Sequence, residues 1–124
     1  MGSSNSTAML SVTDSYNNTV FEVNQYLDPD SSGSSSTCVS SSVGAERLSF
    51  FTNWLRSNGK RGFLGGFAGG DNATCNQAVA GMLDLMSKNA DVWYGFSWWA
   101  AGHWWGDAWF SIEPSNGLDR PQRL

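Results

Sequence analysis

The sequence predicts an α/β fold in which about three parallel strands alternate with two helices. Three observations lead there. Side chains alternate with a two-residue period over residues 19–27, the pattern of a strand. Apolar residues recur at spacings of three and four over 43–58 and again over 73–88, the pattern of amphipathic helices. Short apolar runs at 62–64 and 91–99 follow the two helical stretches, so strand, helix, strand, helix, strand is the order, and right-handed crossovers make the strands parallel.

Residues 1–18 are a Ser/Thr/Asn-rich polar lead-in to which no element is assigned, and the domain occupies 19–124. In the first strand Glu22, Asn24 and Tyr26 share one face. Residues 28–42 form a long serine-dominated loop broken by Pro29 and Gly33, with Cys38 within it. The first helix carries Leu48, Phe51, Trp54 and Leu55 on one stripe and stops at Asn58-Gly59. The second strand is Phe63-Leu64, running out at Gly65 and Gly66 into a loop. Asp71 or Asn72 caps the second helix, which turns Cys75, Val79, Met82, Leu83 and Met86 inward and closes at Asn89. The last strand, DVWYGFSWW, leads into the Gly/Trp-rich AAGHWWGDAWF. Three strands cannot close a barrel, so both sheet edges stay open.

Composition excludes several classes of function. With 40% hydrophobic and 15% charged residues in 124, the chain forms a core rather than a disordered tail. Seven Lys+Arg against eleven Asp+Glu offer no basic patch, which argues against nucleic acid. No stretch reaches membrane-spanning length, and the first ten residues lack the form of a signal peptide, so either the chain is cytoplasmic or its N-terminus lies upstream. Two cysteines and three sequons, at Asn5, Asn17 and Asn72, lean the other way, toward an oxidising secretory compartment. His103 has no nucleophile or second ligand spaced around it and reads as a surface histidine, so no metal and no cofactor is expected. Gly65, Gly66, Gly69 and Gly70 are not followed by Lys-Ser/Thr and are no phosphate cradle. Seven tryptophans exceed the usual needs of so small a core, and their clustering calls for either a large core or a flat ligand.

The segments FEVNQYLDPDSSGSSSTC, TNWLRSNGKRGFLG, FAGGDNATCNQAVAGMLDLM and DVWYGFSWWAAGHWWGD with FSIEP resemble glycoside hydrolase family 5, in particular its fungal endo-β-1,4-glucanases (cellulases). The resemblance implies a partial (β/α)8 TIM barrel corresponding to strands six to eight of a fold roughly two to three times as long. It implies a disulfide between Cys38 and Cys75, for which the residues alone leave two free thiols as the alternative. It places Tyr26 and Trp99 at the active-site tyrosine and the sugar-stacking tryptophan, and Asn24 where relatives carry histidine. It places Gly66 where the nucleophilic glutamate of a GEF-type motif stands, while the acid/base glutamate belongs to an earlier strand.

A retaining glycosidase needs two carboxyl groups about 5 to 5.5 Å apart. The expected function is therefore that of a family 5-like protein related to enzymes that hydrolyse β-1,4-glucan, in a truncated or inactive form lacking both catalytic glutamates, so no catalytic residue is assigned. The loop acids Asp28, Asp71, Asp107 and Glu113 read as solvated or capping, and Glu22 as structural. Trp98, Trp104, Trp105 and Trp109 stay open between core and binding roles. Two rival readings are a non-catalytic carbohydrate-binding protein using Asn24, Tyr26 and the tryptophan platform, and an interaction module that self-associates through open sheet edges. The expected partner is β-glucan or a cello-oligosaccharide, with no membrane and no nucleic acid, and the expected location is extracellular by resemblance.

Overall fold

A computed structural model describes residues 5–114. Its three strands, β1 (Phe21–Asn24), β2 (Gly62–Phe67) and β3 (Trp93–Trp98), form one sheet in the order β1-β2-β3, with both pairs parallel. Helix α2 (Val43–Ser57) joins β1 to β2 and α3 (Ala73–Lys88) joins β2 to β3. This is the strand-helix alternation expected of a partial (β/α)8 barrel.

The helices pack on one face of the sheet because their stripes are apolar on that side only. Leu48 and Leu55 of α2, Leu64 and Phe67 of β2, and Val79 and Met82 of α3 form a single buried cluster with Trp93 of β3. Burying one such side chain contributes about 1.5 to 3 kcal/mol. The polar end of Trp93 is satisfied within this core, since its indole N–H donates to Thr52 Oγ1 at 3.0 Å. Helices α2 and α3 approach closely at Gly44, where an added Cβ would lie 2.5 Å from the Ala78 carbonyl oxygen. Only a residue without a side chain permits that contact.

Helix α3 occupies its expected span. Its N-cap is Asn72, whose side-chain oxygen accepts from Cys75 N–H at 2.9 Å. Two expectations need correction. First, β2 does not give out at Gly65 and Gly66 but continues to Phe67, because its flanking strands supply partners that far: Gln25 N–H donates to the Gly66 carbonyl and Trp99 N–H to that of Phe67. Glycine is disfavoured in strands in general, and here pairing on both sides overrides that preference. Second, the lead-in contains one helical turn, α1 (Asn5–Ala8), followed by a 3-10 turn (Met9–Ser11). Neither buries a residue, so no hydrophobic period announces them.

The opposite face of the sheet is different in kind. Glu22 and Asn24 of β1 and Tyr94 of β3 are exposed on it, Tyr94 at 58%. Tyr94 is held at its hydroxyl by the Arg61 guanidinium, which also donates to the Asn17 carbonyl.

Candidate functional site at the mouth of the sheet

The C-terminal ends of the three strands gather the residues singled out from the sequence. A register irregularity between Val23 and Asn24 sets Asn24 directly opposite Gly66 on β2. Gly66 is buried, and a Cβ built on it would meet Asn24 Oδ1 at 2.8 Å and the Tyr26 hydroxyl at 3.5 Å. Asn24, Tyr26 and Gly66 thus form one group, although Tyr26 lies beyond the end of β1. The neighbouring Gly65 is occupied differently: a Cβ there would fall 1.8 Å from Glu22 Oε1, so the Glu22 side chain lies over it.

Trp99 follows β3 on the other side of β2, is 44% exposed, and meets Trp105 with ring centres 5.4 Å apart and planes tilted by 60°. The Trp99–Ala100 peptide bond is cis. The segment after it is tied back by residues near the described C-terminal end. Trp98 Nε1–H donates to the Phe110 carbonyl at 2.8 Å, Ile112 N–H to the Ala100 carbonyl at 3.1 Å, and Gly102 N–H to Glu113 Oε2 at 2.9 Å. Of the other tryptophans, Trp98 packs against the core, Trp105 and Trp109 flank the Phe110 ring, and Trp104 stands 91% exposed in a 3-10 turn. His103, in the same turn, is exposed. Glu113 is part of the loop's hydrogen bonding and not a freely solvated acid.

The serine-rich loop after β1 is ordered by Asp28, which takes the capping role of the two expected for it. Asp28 is 2% exposed, not solvated. Its carboxylate accepts from the backbone N–H groups of Gly33 (3.1 Å), Ser34 (3.0 Å) and Ser35 (3.2 Å), and from the Ser32 hydroxyl at 3.3 Å. Burial pushes the Asp28 pKa up, but the hydrogen bonds from Gly33, Ser35, Ser34 and Ser32 outweigh it and hold the pKa below the ordinary 3.8. The Asp-x-Asp-x-Ser-Gly run was the available signal, since Asp and Ser side chains bond backbone N–H groups a few residues on.

Arg47 of α2 clamps the same loop from outside. Its Nη1 donates to the carbonyls of Tyr26 and Asp28, both at 2.8 Å, and its Nη2 to that of Pro29 at 3.3 Å. Cys38 and Cys75 are disulfide-bonded with Cα atoms 5.3 Å apart, which fastens the far end of the loop to the first turn of α3. The sequon asparagines lie apart from the mouth group: Asn5 opens α1, Asn17 sits in a turn at φ 51, and Asn72 caps α3. Among the described residues no cluster of three or more His, Cys, Asp or Glu side chains could hold a metal ion, and no helix is long and apolar enough to cross a membrane.

Chemically, the mouth presents an amide and a phenol around a backbone position without a side chain, with an aromatic face nearby. That arrangement can hydrogen-bond and stack on a polyhydroxylated ring.

Comparison with known proteins gives a consistent answer. The family model for Cellulase (glycosyl hydrolase family 5) matches residues 2–102. Endo-beta-1,4-glucanase A of Emericella nidulans is 51% identical over 110 residues, which are 89% of this chain and 34% of the relative. Endo-beta-1,4-glucanase B of Aspergillus niger is 54% identical over 109 residues, 88% of this chain and 33% of the relative. Among solved structures, an endo-beta-1,4-glucanase from Xanthomonas axonopodis pv. citri superposes with a TM-score of 0.92 at 55% identity, covering 96% of this chain and 38% of its own. XacCel5A in complex with cellopentaose gives a TM-score of 0.94 at 50% identity, covering 98% and 39%. The chain spans about a third of the length of these curated relatives. With a family model covering most of its length, this chain belongs to glycoside hydrolase family 5.

Proposed function

We propose that the chain carries part of a β-1,4-glucan site of the family 5 type, and that it handles the sugar without breaking the glycosidic bond. Tyr26 and Asn24 hydrogen-bond a sugar ring and Trp99 stacks on one. Gly66 stands where hydrolysis with retention would need a nucleophilic carboxylate. The observation that carries this reading is Gly66 itself: at the end of the central strand, the three atoms nearest to a side chain there belong to the Asn24 amide and the Tyr26 hydroxyl. Without a nucleophile at that point, the double displacement that uses two carboxyl groups about 5 to 5.5 Å apart has no first step.

The named activities of the relatives and the cellopentaose bound by XacCel5A support the choice of substrate class. The same proposal extends to an extracellular setting, supported by the Cys38–Cys75 disulfide, and to N-glycans on Asn5, Asn17 or Asn72.

Two measurements test it. Titration with cellopentaose should change tryptophan fluorescence saturably, while incubation with soluble β-glucan should release no reducing sugar. A flat titration overturns the sugar-handling half. Reducing ends appearing in proportion to protein overturn the other half.

A further inference from the structure

Tyr26 is held at two points, its carbonyl and its ring, while its hydroxyl faces the mouth. Its hydroxyl lies toward Gly66, 3.5 Å from where a Cβ would stand. Its carbonyl accepts from Arg47 Nη1 and Gln25 Nε2, both at 2.8 Å, and from the Ser31 hydroxyl at 3.1 Å. Its ring lies against Gly33. A Cβ at Gly33 would be 2.7 Å from Cδ1, 2.8 Å from Cγ and 2.9 Å from Cε1 of that ring, closer than carbon atoms approach without displacement. Gly33 has φ +75 and its N–H donates to the buried Asp28 carboxylate, so the loop delivers a bare backbone to the ring.

We propose that Gly33 is a positioning residue that sets the orientation of the Tyr26 ring, with Asp28 and Arg47 holding the loop that presents it; the consequence for sugar binding rests on the function proposed above. The serine loop then does more than close the fold. It fixes where the phenol hydroxyl points at Gly66, which decides whether a sugar hydroxyl finds a donor there.

The molecule contains its own control. Gly59 also lies at positive φ, +60, but a Cβ there would meet nothing within 4 Å. Gly33→Ala and Gly59→Ala therefore impose similar backbone strain, and only the first pushes on a ring. In NMR spectra, with Tyr26 signals identified by their loss in Tyr26→Phe, Gly33→Ala should shift the Tyr26 ring protons and Gly59→Ala should leave them in place. Cellopentaose affinity should fall about tenfold in Gly33→Ala, the worth of one hydrogen bond, and stay unchanged in Gly59→Ala. In a Tyr26→Phe background, Gly33→Ala should weaken binding no further. If Gly33→Ala does not fold, Gly33→Asn keeps the Cβ in a residue that tolerates positive φ, with the same expectation for the ring. Unshifted Tyr26 signals in the folded Gly33 variant, or equal shifts in Gly59→Ala, overturn the proposal. Should the unaltered chain fail to bind cellopentaose, the function proposed above falls while the ring measurement still decides this one.

Discussion

The helix-packed side of the sheet and its C-terminal mouth are held by different forces. Against α2 and α3, Leu48, Leu55, Leu64 and Met82 are at most 1% exposed, and apolar burial does the work. At the mouth, the loop over residues 28–42 buries only Cys38 and the carboxylate Asp28. It is held by one disulfide, four hydrogen bonds to that carboxylate and the Arg47 clamp. The difference teaches that a surface left open cannot be stabilised by covering it, so polar and covalent links replace hydrophobic contact.

The contrast can be tested from its largest element downward. Replacing both Cys38 and Cys75 by serine opens a link between residues 37 apart in sequence, and urea unfolding should show a loss of about 4 kcal/mol by the chain-entropy relation. A loss no greater than that of an average surface change would mean that the mouth does not depend on its covalent link. Next, Leu64→Ala in the buried core should cost about 3 kcal/mol, and Phe96→Ala, at its half-exposed partner on β3, less than about 1 kcal/mol. Equal losses would mean that depth of burial does not set the stability of the helix side.

Asp28 sharpens the comparison through pH. Its pKa is lower in the folded chain than in the unfolded one, so its stabilisation is complete above the ordinary value of 3.8 and disappears as pH falls through the folded value. Asp28→Asn should cost about 1 to 2 kcal/mol at neutral pH, where a charged acceptor is lost, and should reduce the steepness of acid unfolding. An acid-unfolding profile identical to that of the unaltered chain would remove Asp28 from its role at the centre of the loop. Smallest of all, Asp84→Ala on the solvent face of α3 breaks an exposed pair with Lys88 and should cost about 0.3 to 0.5 kcal/mol by thermal unfolding.

The helix side was nearly all legible in the sequence. The stripe Leu48, Phe51, Trp54, Leu55 and the cap at Asn72 are local signals, and burial acts on them in the way that the period implies. At the mouth, the alternation of β1 placed Asn24 and Tyr26 on one face, and both reach Gly66. What the period could not give was the register irregularity that sets Asn24 opposite Gly66, because pairing across strands depends on two distant segments at once. Gly65 and Gly66 read as a loop for the same reason: their strand partners lie about 40 residues upstream and 30 downstream. Asp28 stayed open between solvated and capping because burial of a carboxylate requires donors that only the folded loop gathers.

The order of strands and helices, the inward stripes and the absence of a side chain at Gly66 were determined by the sequence, since propensity, periodicity and side-chain identity are properties of neighbouring residues or of one position. The close contact of Gly33 with the Tyr26 ring, the burial of Asp28 and the meeting of Asn24, Tyr26 and Gly66 were decided by the tertiary structure. Those distances depend on how segments far apart in the chain are set against each other once the core has closed.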